Sequence, residues 1–300
     1  MISVLVPVYN FDIREAVIQL QSQLVKEDVG FELLLLDDGS EEKYKLLNRE
    51  LSSLKGVYYH EEPINLGRSR IRNKLANIAK YDNLIFIDCD SHIPNADYIK
   101  NYLNHVNDSP IIYGGRIYEQ AEPTVNEHKL HWLYGLKREQ WPARVRSQEP
   151  NKGFQTNNFL IKKELLQSIG FNEKIVGYGH EDTLFGYELQ KRNISIQHID
   201  NPVIHMGLES NEEFLRKTRE GIKNLKRIMR INGNEKRLVR DITILSFYKQ
   251  LDKIKLTSMV EFLYNRYEHR LRRNLLSSNP NLIVFDLYKL GYLCTLESKN

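Results

Sequence analysis

Cysteine is scarce here: Cys89 and Cys294 are the only two in 300 residues, and they stand far apart. That argues against a disulfide framework or a thiolate metal site and fits a reducing compartment. No uncharged apolar stretch approaches the roughly 18–20 residues that cross a bilayer as a helix, so no transmembrane helix is expected. Met1 leads straight into the strand-like Ile2–Val8 without a basic or apolar leader, and the expectation is a cytoplasmic protein. The phosphate-cradling signatures are missing too. No G-x-x-x-x-G-K-[ST] loop occurs, and no G-x-G-x-x-G follows the first apolar run, which disfavours kinases and dinucleotide oxidoreductases. Neither a G-x-S-x-G elbow nor an H-E-x-x-H helix is present, so hydrolase readings lack support.

Net charge is small at +4, but it is unevenly spread. Residues 210–275 hold 17 Lys and Arg against 8 Asp and Glu, an excess of +9 that leaves −5 for the rest. Two readings stand for this basic region: an anionic partner, such as membrane lipid or a charged acceptor, or a solvated helical face.

What is present is alternation. Apolar runs at Ile2–Val8, Phe31–Leu36, Val57–Tyr59, Leu84–Ile87 and Ile111–Tyr113 read as strands, separated by helical patterns near 12–26, 41–54, 67–80 and 95–106. Strands alternating with helices predict a mainly parallel sheet covered on both faces. Ligands bind such sheets beyond the carboxyl ends of the strands. Asn10, Asp37, Asp38, Asp88 and Asp90 all fall at such ends and are expected to converge on one rim. Residues 118–155 lose periodicity and read as a long functional loop. Phe159–Ile161 reads as a strand, 181–191 as a helix, and 195–204 as a strand pair or a strand broken at Pro202. From Ser210 the chain turns helical behind a Ser210-x-x-Glu213 capping box, with a further basic helix near 255–276.

The chemistry-bearing residues fall in two acidic blocks. In Leu84-Ile85-Phe86-Ile87-Asp88-Cys89-Asp90 the two carboxylates sit at i and i+2 of an extended segment and face one side. Hard oxygen donors there suit Mg²⁺ or Mn²⁺, which share their shells with phosphate oxygens. A solvated strand end is the plain alternative. In Gly177-Tyr178-Gly179-His180-Glu181-Asp182, Asp182 opens a helix and can act as a general base, against the alternative that it only complements the helix dipole. His205, after the apolar Pro202-Val203-Ile204, is a candidate third metal ligand, with His198 and His180 as rivals. An imidazole would favour Mn²⁺.

At this point the chain resembles the family 2 glycosyltransferases of GT-A fold. The resemblance covers about 1–207. It runs through Val4-Leu5-Val6-Pro7-Val8-Tyr9-Asn10, Leu36-Asp37-Asp38-Gly39-Ser40, Asn65-Leu66-Gly67 with Arg72-Asn73, and Asp88-Cys89-Asp90. It ends with Thr156-Asn157-Asn158-Phe159 through Gly170-Phe171-Asn172-Glu173 and Gly179-His180-Glu181-Asp182. The last block is similar to that of galactosyltransferases and chondroitin polymerases.

The resemblance implies a mixed, mainly parallel Rossmann-like sheet flanked by helices. It gives a catalytic domain at 1–207, with a nucleotide-sugar half at 1–115 and an acceptor half at 116–207, and a helical extension at 208–300. Pro7, Tyr9, Asp38, Asn65, Arg72 and Asp88 would bind the UDP-sugar, and Asn157, Asn158 and Glu181 the acceptor. Asp90, Asp88 and His205 would serve the metal, Mn²⁺ with Mg²⁺ as the alternative, and Asp182 with Glu181 would carry an inverting transfer. The implied acceptor is a glycan or a lipid-linked sugar. Two departures stand out: His180 occupies a position where relatives carry glycine, and Ile169-Gly170-Phe171 replaces Gly-Gly-Phe.

Competing readings are a sugar-nucleotide nucleotidyltransferase, which would release pyrophosphate, and an anionic-surface or nucleic-acid binder acting through 210–275. No nucleic-acid motif accompanies that charge, so no nucleic acid is expected as partner. For the helical spacing of Phe214, Ile222, Leu225 and Met229 two expectations stand: a peripheral membrane contact, or packing of that apolar face on the catalytic domain with only the charges in solvent.

Overall fold

The structure, a computed structural model, describes residues 1–231 and 236–296. The expected helical extension to residue 300 therefore includes two short stretches, 232–235 and 297–300, that lie outside the described residues. Among the described residues ten strands form: β1 Ile2–Val8, β2 Phe31–Asp37, β3 Val57–Glu61, β4 Asn83–Ile87, β5 Ser91–His92, β6 Ile111–Tyr113, β7 Arg116–Ile117, β8 Asn158–Lys162, β9 Gln197–His198 and β10 Val203–His205. Seven make one sheet in the order β3-β2-β1-β4-β8-β6-β9, and β5-β10-β7 make a smaller one.

Strands β3, β2, β1 and β4 run parallel, β8 lies antiparallel between β4 and β6, and β9 pairs parallel with β6. This is the expected mixed, mainly parallel sheet. The continuous apolar runs arise because both faces are covered. Val4, Val6 and Val8 face one buried layer with Leu20, Leu24 and Tyr98. Leu5 faces the other, with Leu75, Phe86 and Phe159. Phe86 of β4 stacks on Phe159 of β8 with ring centroids 4.9 Å apart, an extra contribution of roughly 0.5–1.5 kcal/mol beyond the area buried.

Two helices matter for the site. Helix Arg68–Ile78 follows Gly67, whose φ of 88° lets the chain turn sharply into the first turn. Its Ile71, Leu75 and Ala76 bury against the sheet, which leaves Arg68 and Arg72, one turn apart, on an adjoining stripe. Helix Glu181–Lys191 buries Leu184, Phe185 and Leu189. It stops at Asn193, left-handed at φ 58°, where Ile194 N–H reaches Leu189 O and Asn193 N–H reaches Gln190 O, a Schellman closure.

The chain divides into two compact units, Met1–Glu119 with Glu139–Val176 and Glu181–Gly207, and Gln120–Arg138 with Gly177–His180 and Leu208–Asn300. Within the second, helix Asn211–Ile231 begins as its capping box requires, Glu213 N–H donating to Ser210 Oγ at 3.2 Å. Helix Thr257–Leu275 matches the expected basic helix.

Three local expectations need correction. The stretch 118–155 is not a structureless loop: Lys129–Tyr134 and Ala143–Arg146 are helices, too short for a helical period to show. The segment 195–204 yields two short strands in two different sheets. Phe214, Ile222, Leu225 and Met229 do not face outward. They are buried among Val239, Leu245, Phe285, Tyr288 and Leu293 of the same unit, so they cannot anchor the chain to a membrane.

Candidate active site

The carboxyl ends of β1 and β2 are tied side by side, with Val8 in register with Asp37. Asn10, left-handed at φ 49°, donates its N–H to Ser40 Oγ at 2.8 Å and accepts from Glu41 N–H through Oδ1 at 2.8 Å. Asp38 is buried and accepts from Leu66 N–H at 2.6 Å and Gly67 N–H at 3.0 Å, so it fastens this rim to the start of the Arg68 helix. Burial, with Asp37 and Glu62 nearby, raises its pKa against the lowering effect of those two bonds. Pro7 is half-buried, while Tyr9 and Asn65 are exposed beside this rim.

The two acidic blocks are joined by arginine. Arg72, buried, donates to Asp88 Oδ1 at 2.5 Å, and its Nη1 lies 4.0 Å from Glu181 Oε1. Arg68 donates from Nε to Glu181 Oε1 at 2.6 Å and brings Nη2 to 3.7 Å from Asp88 Oδ2. Burial alone would raise Glu181, but Arg68 and Arg72 outweigh it and hold this carboxyl below its usual range. Its neighbour behaves oppositely. Burial, then the negative charge of Glu181, push Asp182 up to about 6, against hydrogen bonds from Thr183 N–H at 2.6 Å and Thr183 Oγ1 at 3.2 Å. Adjacent carboxyls driven apart in this way are a pattern of acid–base sites.

Asp90 stands on the small sheet. Its successor Ser91 pairs with His205 across β5 and β10, which brings His205 Nδ1 to 3.5 Å from Asp90 Oδ2. Met206 N–H donates to Asp90 O at 2.8 Å. A Cβ on Gly207 would fall 2.6 Å from Asp90 Oδ2, so a larger residue there would displace the Asp90 carboxylate. Burial tends to raise Asp90, but His205, then Arg116 and Arg68, hold it well below the usual carboxylate range. Its Oδ1 is sealed from solvent without a hydrogen-bond partner. Of the rival histidines, His198 is held by Pro150 O at 2.8 Å, and burial pushes its pKa down to about 4. His180 takes the left-handed φ of 71° that a glycine would adopt freely.

The asparagine pair divides. Asn157 is buried, its carbonyl accepts from Asp88 N–H at 2.9 Å, and its Nδ2 has no hydrogen-bond partner. Asn158 points into the core: its Oδ1 accepts from Tyr98 and Tyr102 hydroxyls, each at 2.7 Å, and its Nδ2 donates to Gly115 O and Asn201 O. Arg68 was not singled out from sequence, and neither was Arg116, whose Nη1 lies 3.2 Å from Glu139 Oε2. The signal for Arg68 was its spacing of four from Arg72 on one helix.

Among the described residues, no cluster of three or more His, Cys, Asp or Glu side chains is arranged to hold a metal. The two donors that do stand together, a sealed carboxylate oxygen of Asp90 and the imidazole of His205, fit a divalent ion that draws the rest of its shell from phosphate and water. Asp88 faces its arginines.

The mainly parallel α/β sheet gathers carboxylates and arginines on its carboxyl rim, where sheets of this class bind their ligands. A model for glycosyl transferase family 2 matches residues 3–170, and the chain belongs to that family. It is 22% identical over 239 residues to the chondroitin synthase of Escherichia coli, an alignment covering 68% of this chain and 34% of that protein. The chain thus spans about a third of that relative's length. The mannosyltransferase PcManGT from Pyrobaculum calidifontis, solved with GDP-Man and Mn²⁺, aligns over 100% of this chain and 88% of its own at TM-score 0.55 and 14% identity. S. aureus TarS 1–349, solved with UDP, aligns over 99% and 90% at 0.53 and 17%. Both share the GT-A fold with this chain.

Proposed function

We propose that this chain moves a hexose or N-acetylhexosamine from a UDP-sugar to a hydroxyl of a glycan or lipid-linked acceptor, with inversion at the anomeric carbon. One observation carries the reading: Arg68, itself half-buried, and the buried Arg72 hold Asp88 and Glu181 in one ionic network, while Asp182 beside it is raised to about 6. Such a carboxylate is ionised at neutral pH yet basic enough to accept a proton. The UDP found with TarS and the name of the chondroitin synthase support the donor and the glycan acceptor.

In this reading Asp90 and His205 hold Mn²⁺, as the Mn²⁺ found with PcManGT supports. A divalent cation held there would supply Lewis-acid neutralisation of diphosphate charge. Asp38, Asn65, Pro7 and Tyr9 line the nucleoside, and Asp88, steadied by its arginines, meets the ribose. The unpartnered Nδ2 of Asn157 donates to the sugar or the acceptor. Asp182 takes the acceptor's hydroxyl proton as that oxygen bonds to the anomeric carbon and the bond to UDP breaks. Glu181, kept ionised by Arg68, sustains the basicity of Asp182.

The test is a panel of UDP- and GDP-sugars incubated with candidate acceptors, with and without Mn²⁺. UDP release that depends on Mn²⁺ and acceptor is expected. Pyrophosphate release, or turnover undiminished in EDTA, overturns the reading.

A further inference from the structure

The helix Thr257–Leu275 buries one side of itself within the C-terminal unit and leaves the other to solvent. Tyr264 and Leu275 are buried, Leu271 packs on the same cluster as they do, and Val260 on the cluster around Ile222 and Leu245. At 100° per residue Met259 and Phe262 fall on the opposite side and Leu263 and Tyr267 on one flank, exposed by 50%, 68%, 44% and 40%. Interleaved with them, and on the same side, are Arg266, Arg270 and Arg273, also exposed. Among the described residues none of these arginines has a carboxylate partner. Their contacts are with an aromatic face, Arg266 and Arg270 flanking the Tyr267 ring at 5.8 and 5.4 Å. The helix's two carboxylates, Glu261 and Glu268, lie on the half-buried side, and Glu268 is taken by Arg219.

Four large apolar side chains in the open are costly unless covered, and three uncompensated arginines among them select what covers them. We propose that this stripe docks on an anionic bilayer surface. Phe262, Met259 and Leu263 enter the headgroup–acyl boundary, Tyr267 sits at headgroup level, and the three arginines reach lipid phosphates with their stems lying along the apolar layer. Charge decides against a second copy of this chain. A symmetric pairing through the same stripe would bring the two arginine sets together with no acidic residue on either side. The inference does not depend on the transfer reading, since it uses none of the residues assigned to that chemistry.

The experiment uses the full chain with vesicles of phosphatidylcholine alone and of phosphatidylcholine with phosphatidylglycerol. Co-sedimentation with the anionic vesicles only, weakened between low and high salt, is expected. Replacing Arg266, Arg270 and Arg273 together by Ser should weaken vesicle binding roughly a hundredfold, at about tenfold or less per charge, with an unchanged melting temperature. Phe262→Trp should give a blue-shifted difference spectrum on the anionic vesicles. Recovery in the supernatant with both vesicle types overturns the proposal. So does vesicle binding that leaves the Trp spectrum unmoved, because another face is then responsible. A dimer that disappears in Phe262→Ser, without vesicle binding, also overturns it by making the stripe a self-interface.

Discussion

Arginines on two helices of this chain live under opposite rules. Arg68 and Arg72, on the helix behind the third strand, are drawn towards the sheet rim, where each finds carboxylates at Asp88 and Glu181. Arg266, Arg270 and Arg273 of the C-terminal unit stay in solvent, with no carboxylate partner among the described residues. Both sets recur at helical spacing, so sequence alone does not separate them. Burial does. A cation removed from water must be paired, and once paired it fixes the position and basicity of what it touches, whereas an exposed one keeps its charge for an outside partner.

The sharpest way to break that contrast is to remove one arginine of each kind. Arg72→Met strands Asp88 beside Glu181 and should destabilise the fold by about 3–5 kcal/mol, read as a loss of melting temperature. Arg270→Ser should stay within about 0.5 kcal/mol of the parent. Equal effects would erase the distinction. Next in size is the sheet beneath the first set: Leu5→Ala, fully buried on the same face as Leu75, should cost about 2–5 kcal/mol in denaturant unfolding. A cost below 1 kcal/mol would mean that the sheet does not rest on this layer.

A third prediction concerns Asp182 and runs in opposite directions for stability and activity. Its pKa is raised from 3.8 to about 6 in the fold. The stabilising effect of its proton is fully present below 3.8 and is lost as pH rises through about 6. Asp182→Asn, which needs no proton, should therefore be more stable than the parent at pH 7.5, by at most about 3 kcal/mol, and should show no gain at pH 3.5. Transfer by the parent should rise through pH 6 to a plateau. A parent profile flat between pH 5 and 8, or an Asn variant less stable at pH 7.5, would contradict the assignment. A small effect is expected from His180→Gly, which relieves a left-handed backbone at φ 71° and should change stability by less than about 1 kcal/mol, in the stabilising direction.

Much of the fold was legible because a sheet covered on both faces writes its strands as unbroken apolar runs, as Val4–Val8 and Leu33–Leu36 do. The acidic blocks were legible because strand ends and helix starts expose their side chains by geometry. Pair choice was not. Arg68 acts on Glu181, 113 residues away, and no local pattern encodes that. Asn157 and Asn158 look alike in sequence, yet alternation turns Asn158 into the core, where two tyrosines hold it. The spacing of Phe214, Ile222, Leu225 and Met229 announced a covered face without naming its cover, which proved to be neighbouring helices of the same unit.

The account turns on Asp182 as the proton acceptor beside an arginine-held partner. The most direct measurement is the turnover of Asp182→Asn alongside its donor affinity. The account predicts a kcat about 10²–10⁴-fold below the parent with UDP-sugar affinity unchanged within a few-fold. A kcat within a few-fold of the parent would contradict it.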